Sequence, residues 1–183
     1  GTLDPLATGL LILCTGRMTK RIEEFKEFDK EYTGTVTLGA TTPSFDLESE
    51  VDEIFPMEHI TEEMIKSAAE KLTGNYEQFP PIFSAIKING KRAYEYARRD
   101  QEVVMLGKQV FVPEFEITSI EMPLIGFRIV CSKGTYIRSM AKDFGALLNS
   151  GAHLSSLCRT RIGPYSLKDA LDPDGLKEAI RNS

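Results

Sequence analysis

Between residues 125 and 148 the spacing of apolar side chains changes from every second residue to every third or fourth, and this switch constrains the fold more than any other feature of the chain. Ile125, Phe127, Ile129 and Cys131 alternate with Gly126, Arg128, Val130 and Ser132, the pattern of a strand with one face on a core. After Lys133-Gly134 the apolar positions become Ile137, Met140, Ala141, Phe144 and Leu148, which share one side of a helix. A strand that leads straight into an amphipathic helix needs a sheet with helices laid against it. Arg138 falls in the first turn of that helix, where the dipole disfavours a cation by a few tenths of a kcal/mol up to about 1. A carboxylate from elsewhere in the chain is therefore expected beside it.

The same two periods recur upstream. Gly9–Cys14 reads as a buried strand, and Met18, Ile22 and Phe25 follow at helical spacing. Tyr32, Gly34, Val36 and Leu38 alternate with Thr33, Thr35 and Thr37, giving a strand with Tyr32 at its start. Thr61 is placed to cap a helix whose first turn carries Glu62 and Glu63 and whose apolar stripe is Met64, Ile65, Ala68, Ala69 and Leu72. This helix is expected on the back of the sheet. Pro80-Pro81 interrupts regular structure, and residues 84–108 carry many charges and little core pattern, with Gly90 and Gly107 as hinges. That stretch reads as a mobile insertion over the working face. After Gly163-Pro164 one short strand and one short helix follow, and neither an internal repeat nor a linker to a second domain is detected. The expected class is α+β, a mixed and mainly antiparallel sheet with flanking helices, formed by residues 1–183 as one domain.

Composition narrows the function classes. At 183 residues and 42% hydrophobic the chain can bury one sizeable core. No stretch approaches the roughly 18 apolar residues of a membrane span, and nothing resembles a signal peptide. Cys14, Cys131 and Cys158 are odd in number and far apart, which argues against a disulfide framework and a zinc cluster. His59 and His153 are the two histidines, too few for a metal site built on imidazole, and His153 is read as structural. A net charge of −5 argues mildly against a nucleic-acid partner. The charge is uneven, however: residues 46–70 hold nine acids against Lys66, which leaves the rest of the chain at +3. Basic clusters stand at Arg17, Lys20 and Arg21 and at Lys87, Lys91, Arg92, Arg98 and Arg99. Isolated basic runs are ordinarily solvated surface, but Tyr94 and Tyr96 interleave the second one, and aromatic faces stack on unpaired bases. The acidic segment is read as a face turned away from RNA.

The first nine residues, Gly1-Thr2-Leu3-Asp4-Pro5-Leu6-Ala7-Thr8-Gly9, set one carboxylate in a turn between conformationally restricted neighbours. A bare Asp-Pro would read as an Asx-type turn before a strand. The full string resembles the catalytic motif of the TruB family of tRNA pseudouridine synthases. Asp29-Lys30-Glu31-Tyr32 is similar to that family's tyrosine motif, the run from Phe79 to Lys87 with Gly90–Arg98 to its substrate-side insertion, and Cys131-Ser132-Lys133-Gly134-Thr135-Tyr136-Ile137-Arg138 to its arginine motif. Gly151-Ala152-His153-Leu154 with Leu157 and Arg159 resembles a later pocket segment. The family pattern has a strand and a His-Gly stretch before the aspartate motif, whereas this chain starts inside that motif without an initiator Met. Phe83 stands where many relatives have Tyr.

The resemblance implies a pseudouridine synthase fold and a cytoplasmic, monomeric enzyme that converts uridine at position 55 in the T loop of tRNA, with no cofactor and no metal. It implies Asp4 as nucleophile, Tyr32 as the aromatic that stacks on the target base, and Arg138 as the cation that keeps Asp4 ionised. Substrate-binding roles are implied for Lys20, Lys87, Lys91, Arg92, Tyr136, Leu157 and Arg159, with Leu157 readable equally as ordinary core. Two other readings stay open: an RNA-binding or RNA-folding module without turnover, and the guide-RNA-dependent branch of the superfamily. The long 84–108 extension and the lack of a C-terminal RNA-binding domain favour the stand-alone bacterial branch.

Overall fold

The computed structural model describes residues 2–84, 87–88, 91–93, 96 and 105–181, with the backbone alone at 87–88 and 91–92. Its centre is a sheet in which two adjacent inner strands are those the period-two runs predict. In chain order the strands are β1 (Thr8–Gly9), β2 (Lys30–Leu38), β3 (Ala40–Thr41), β4 (Glu53–Ile54), β5 (Gly74–Gln78), β6 (Lys87–Ile88), β7 (Lys91–Arg92), β8 (Lys108–Val112), β9 (Glu114–Glu121), β10 (Leu124–Cys131), β11 (Ala152–Ile162) and β12 (Tyr165–Ser166). The helices are α1 (Ile22–Glu27), α2 (Glu62–Lys71), α3 (Ile137–Leu147) and α4 (Pro173–Arg181). The main sheet runs β1-β11-β2-β10-β9, with β12 on β11; three short pairs, β3-β4, β5-β8 and β6-β7, lie outside it. Pairing is antiparallel except where β1 joins β11 in parallel. This is the mixed, mainly antiparallel α+β architecture expected.

The core forms where the two periods meet. Val36 and Leu38 of β2 and Ile125, Phe127 and Ile129 of β10 point to one side of the sheet and pack with Met140 and Phe144 of α3 and with Ile65, Ala68 and Ala69 of α2. Thr61 caps α2 by accepting a hydrogen bond from the Met64 amide at 3.3 Å. Among the described residues, no helix is long and apolar enough to cross a membrane.

Two expectations differ from the structure, and one strand was not anticipated. The run Gly9–Cys14 is not a buried strand: pairing stops at Gly9, Leu10 is buried, and Leu11 and Leu13 face outward. The Leu10 amide makes the last bond to β11, at 2.8 Å from the Arg159 carbonyl, and no strand continues the ladder beyond it. Met18, Ile22 and Phe25 span two pieces, a 3-10 turn over Gly16–Arg21 and then α1. Strand β11 escapes a period-two reading because its register shifts between Leu154 and Ser156 and again between Arg159 and Arg161, so its buried positions change phase twice. The insertion expected at 84–108 lies mostly outside the described residues, including Gly90, Tyr94, Arg98 and Arg99.

Asp143 on α3 is a partly buried carboxyl, and burial pushes it up to about 6, with Lys142 opposing. An acid raised in the folded state favours its neutral form there, so this contribution to stability is fully present below the unfolded value near 4 and is lost as pH climbs through about 6. Asp143→Asn is expected to raise stability at pH 7.5 by about 1–2 kcal/mol, after allowance for partial exposure, and to leave it unchanged near pH 4. Thermal unfolding at the two pH values measures this; an equal gain at both would show that the carboxyl is not the cause.

Candidate active site

The turn that carries Asp4 is closed by the Ala7 amide donating to the Asp4 carbonyl at 2.9 Å, with Pro5 fixing the bend. The chain then runs against β11, Gly9 opposite Arg159. Gly9 has φ +106°, and a side chain there would run into the Arg159 backbone, so only glycine permits this close approach. The turn therefore sits at a fixed distance from the sheet.

Arg138, only 4% exposed, reaches the turn from the first turn of α3. Its Nε and Nη2 donate to the two oxygens of Asp4 at 3.0 and 2.9 Å, a planar fork on a planar carboxylate. Nη1 donates to the carbonyls of Phe83 at 3.2 Å and Ser44 at 3.4 Å. A second carboxylate, Asp46, stands 3.6 Å from Nε. The expected partner of the helix-start cation is thus Asp4, supported by Asp46. Asp4 keeps 38% of its side chain exposed, so one face stays open while the other is held.

Asp46 stands in this site and is one of two residues there that sequence reasoning missed. It is one of nine acids read as an outward face, yet it is 4% exposed. Its loop is firmly built. Phe45 adopts φ 64°, and its carbonyl accepts from the Leu154 amide at 2.9 Å. The Thr42 hydroxyl donates to the Asp46 carbonyl at 2.7 Å, and the Glu48 amide donates to Oδ1 at 3.0 Å. The only local hint was the turn-forming run Thr42-Pro43-Ser44 directly after a strand. Gln78 was missed as well. Its side chain accepts from the Tyr136 amide at 2.8 Å and donates to the Tyr136 carbonyl at 3.0 Å, fixing the residue that starts α3. It thereby sets where Arg138 begins.

Asp4, Tyr32, Tyr136, Arg138, Leu157 and Arg159 all line one open cleft of about 670 Å³. Burial pushes the Tyr32 phenol up, with Cys131 and Asp4 acting the same way and Arg159 opposing. Burial also raises Tyr136, while Ser84 and Arg138 counter it. Leu157 belongs to both the core and the cleft wall, so its two readings coincide. Lys20 lies on the exposed 3-10 turn and is not among the cleft-lining residues. Lys87, Lys91 and Arg92 form the small β6-β7 hairpin, and their side chains lie outside the described residues. Among the described residues the lysines that line the cleft are Lys26, Lys30, Lys108 and Lys133, which form its basic rim. Lys133 pairs with Glu27, and Lys108 lies over Gly134. His153 is buried, its Nδ1 3.0 Å from the Ala40 carbonyl, in a structural setting.

Comparison with known proteins places this fold among the pseudouridylate synthases. Within that class the chain belongs to the TruB family, whose model, described as "TruB family pseudouridylate synthase (N terminal domain)", matches residues 1–137. Similar proteins include the tRNA pseudouridine synthase B of Phocaeicola vulgatus, 53% identical over 178 residues, which covers 97% of this chain and 76% of that protein. That of Flavobacterium johnsoniae is 54% identical over 181 residues, 99% of this chain and 79% of its own. Among solved structures, a chain of a Cbf5-Nop10-Gar1 complex aligns over 91% of this chain and 40% of its own length, with TM-score 0.68 and 27% identity.

Proposed function

We propose that this chain isomerises uridine to pseudouridine at position 55 in the T loop of tRNA, with Asp4 as nucleophile. The carrying observation is the Asp4–Arg138 fork, half open to a cleft that also holds Tyr32, in a chain more than 50% identical to proteins named tRNA pseudouridine synthase B.

The reaction breaks the bond from the sugar carbon to base nitrogen 1, turns the base, and joins the same sugar carbon to base carbon 5. Carbon 5 loses its proton and nitrogen 1 gains one, so no electrons enter or leave. A carboxylate that attacks once and departs again divides the exchange into two easier steps. Arg138 holds both oxygens of Asp4 and so fixes which lone pairs face the cleft. Tyr32 supplies a ring for the turned base and an oxygen near the carbon that must lose its proton, Leu157 forms the apolar wall, and Tyr136 and Arg159 border the same space. The target base has to leave its stack to reach Asp4, at a cost of a few kcal/mol, which favours a structured loop over a duplex.

The test is tritium release from carbon-5-labelled uridine in an unmodified T-arm RNA. Expected is release approaching one equivalent per RNA with no guide RNA present. Tight binding without release would favour the binding-module reading, and release only with an added guide would favour the guide-dependent branch.

The phosphates of that RNA are read as following the lysine rim. Lys108→Glu combined with Lys133→Glu is expected to weaken T-arm binding more than tenfold and to lower the logarithmic salt slope by about 2, near one per lost phosphate contact. Glu62→Gln with Glu63→Gln on α2 should change neither. Binding titrations from 50 to 300 mM salt, on the order of the range where such slopes are read, decide it; equal effects from both pairs would remove the rim from the RNA path.

A further inference from the structure

Arg159 is a buried cation, 4% exposed, with no carboxylate hydrogen-bonded or ion-paired to it among the described residues. Its Nε donates to the Leu10 carbonyl at 2.8 Å and its Nη1 to the Thr2 carbonyl at 3.3 Å, the two flanks of the Asp4 turn. Its own carbonyl accepts from the Leu10 amide at 2.8 Å. The remaining nitrogen, Nη2, is buried and has no partner at full hydrogen-bond geometry among the described residues. A buried donor left unmade costs the fold its full desolvation penalty, so its persistence beside a cleft points to use. Across the sheet from Arg159 stands Tyr32, its direct partner in the β11-β2 register, and both side chains line the cleft. Directly opposed residues share one face of a sheet. The guanidinium also acts on the Tyr32 oxygen, opposing the rise that burial, Cys131 and Asp4 cause.

We infer that Arg159 is a positioning residue of this site: its guanidinium ties both flanks of the Asp4 turn to β11 and offers its remaining N–H to the Tyr32 oxygen. This rests on the proposed roles of Asp4 and Tyr32. Arg138 then acts on the carboxylate itself, while Arg159 acts on the backbone that carries it and on the oxygen across the cleft. The donation strengthens as negative charge gathers on the Tyr32 oxygen, which is when the base proton departs.

The test uses the full chain with Arg159→Met, similar in length but apolar, and Arg159→Lys, which keeps the charge and can make one of the two carbonyl bonds. Hydrogen exchange, single-turnover rate on T-arm RNA and RNA affinity are measured for each. Arg159→Met is expected to speed exchange across residues 3–10 at least tenfold relative to residues 125–131, and to slow turnover more than tenfold while affinity changes less than threefold. Arg159→Lys should recover part of both losses. In a Tyr32→Phe background the Arg159→Met step should slow turnover at least threefold less than in wild type. Unchanged exchange at residues 3–10, rate and affinity falling together, or an equal loss in the Tyr32→Phe background would overturn the assignment, as would failure of both Arg159 variants to fold. The exchange measurement needs no turnover. A wild-type chain with a protected turn and no tritium release would sink the isomerase reading alone.

Discussion

Asp4→Asn is expected to bind T-arm RNA within about threefold of wild type and to lose at least about 10³-fold in turnover. Asparagine keeps the shape of the side chain and one acceptor for the Arg138 fork but loses the charge that attacks. The fold should survive, because Arg138 still has Asp46 at 3.6 Å and the Ser44 and Phe83 carbonyls on Nη1. Turnover is read as tritium release, affinity by filter binding, and integrity by thermal unfolding. Repeated turnover by pure Asp4→Asn protein would remove Asp4 from the nucleophile role. A wild-type chain that binds but is equally silent would shift the reading to a binding module.

The second large effect belongs to Arg138, where charge and geometry can be separated. Arg138→Lys retains the cation between Asp4 and Asp46 but cannot make two parallel bonds, so the carboxylate turns freely and the single-turnover rate should fall well over tenfold with the fold intact. Arg138→Met removes the cation and leaves Asp46, 4% exposed, without its counter-charge, a loss of about 3–5 kcal/mol in stability. Rates per folded molecule and unfolding midpoints for the two variants distinguish the contributions. Should Arg138→Lys melt far below wild type while keeping a near-normal rate, Arg138 is a structural ion and not the orienter of Asp4.

What could be read from the sequence depended on how far each signal reached along the chain. Local periodicity found β2, β10, α2 and α3, because each keeps one phase over at least two turns or six strand residues. It missed β11 for the opposite reason: two register shifts move Leu154, Leu157 and Ile162 out of any single alternation. The run Leu10–Cys14 misled because a short apolar stretch announces a strand whether or not a neighbour exists to pair with it, and only Leu10 found one. At the site, the dipole argument placed a carboxylate beside Arg138 and the nine-residue motif supplied Asp4. Asp46 stayed hidden because a buried acid and a solvated acid are the same letter, and eight others surround it between residues 46 and 70. The roles of Gln78 and of the lysine rim depend on long-range register, which no local pattern carries. Charge clusters drew attention to Lys20, whereas the cleft is edged by lysines spread from residue 26 to residue 133.

The side-chain contacts that seat the carboxylate span most of the chain: 134 residues separate Asp4 from Arg138, and 149 separate Leu10 from Arg159. Distance of that kind adds little to the free energy of closing the loop, since each doubling costs only about 0.6 kcal/mol. Its effect falls on timing. A ribosome delivers Asp4 before β2, β10 and α3, and the strand that receives it later than any of them. During synthesis the antiparallel trio β2-β10-β9 can form while the carboxylate still has no seat. On the proposed role of Asp4, competence would arrive with the last long-range pairing, and an unfinished chain could carry much of the fold before its carboxylate is oriented.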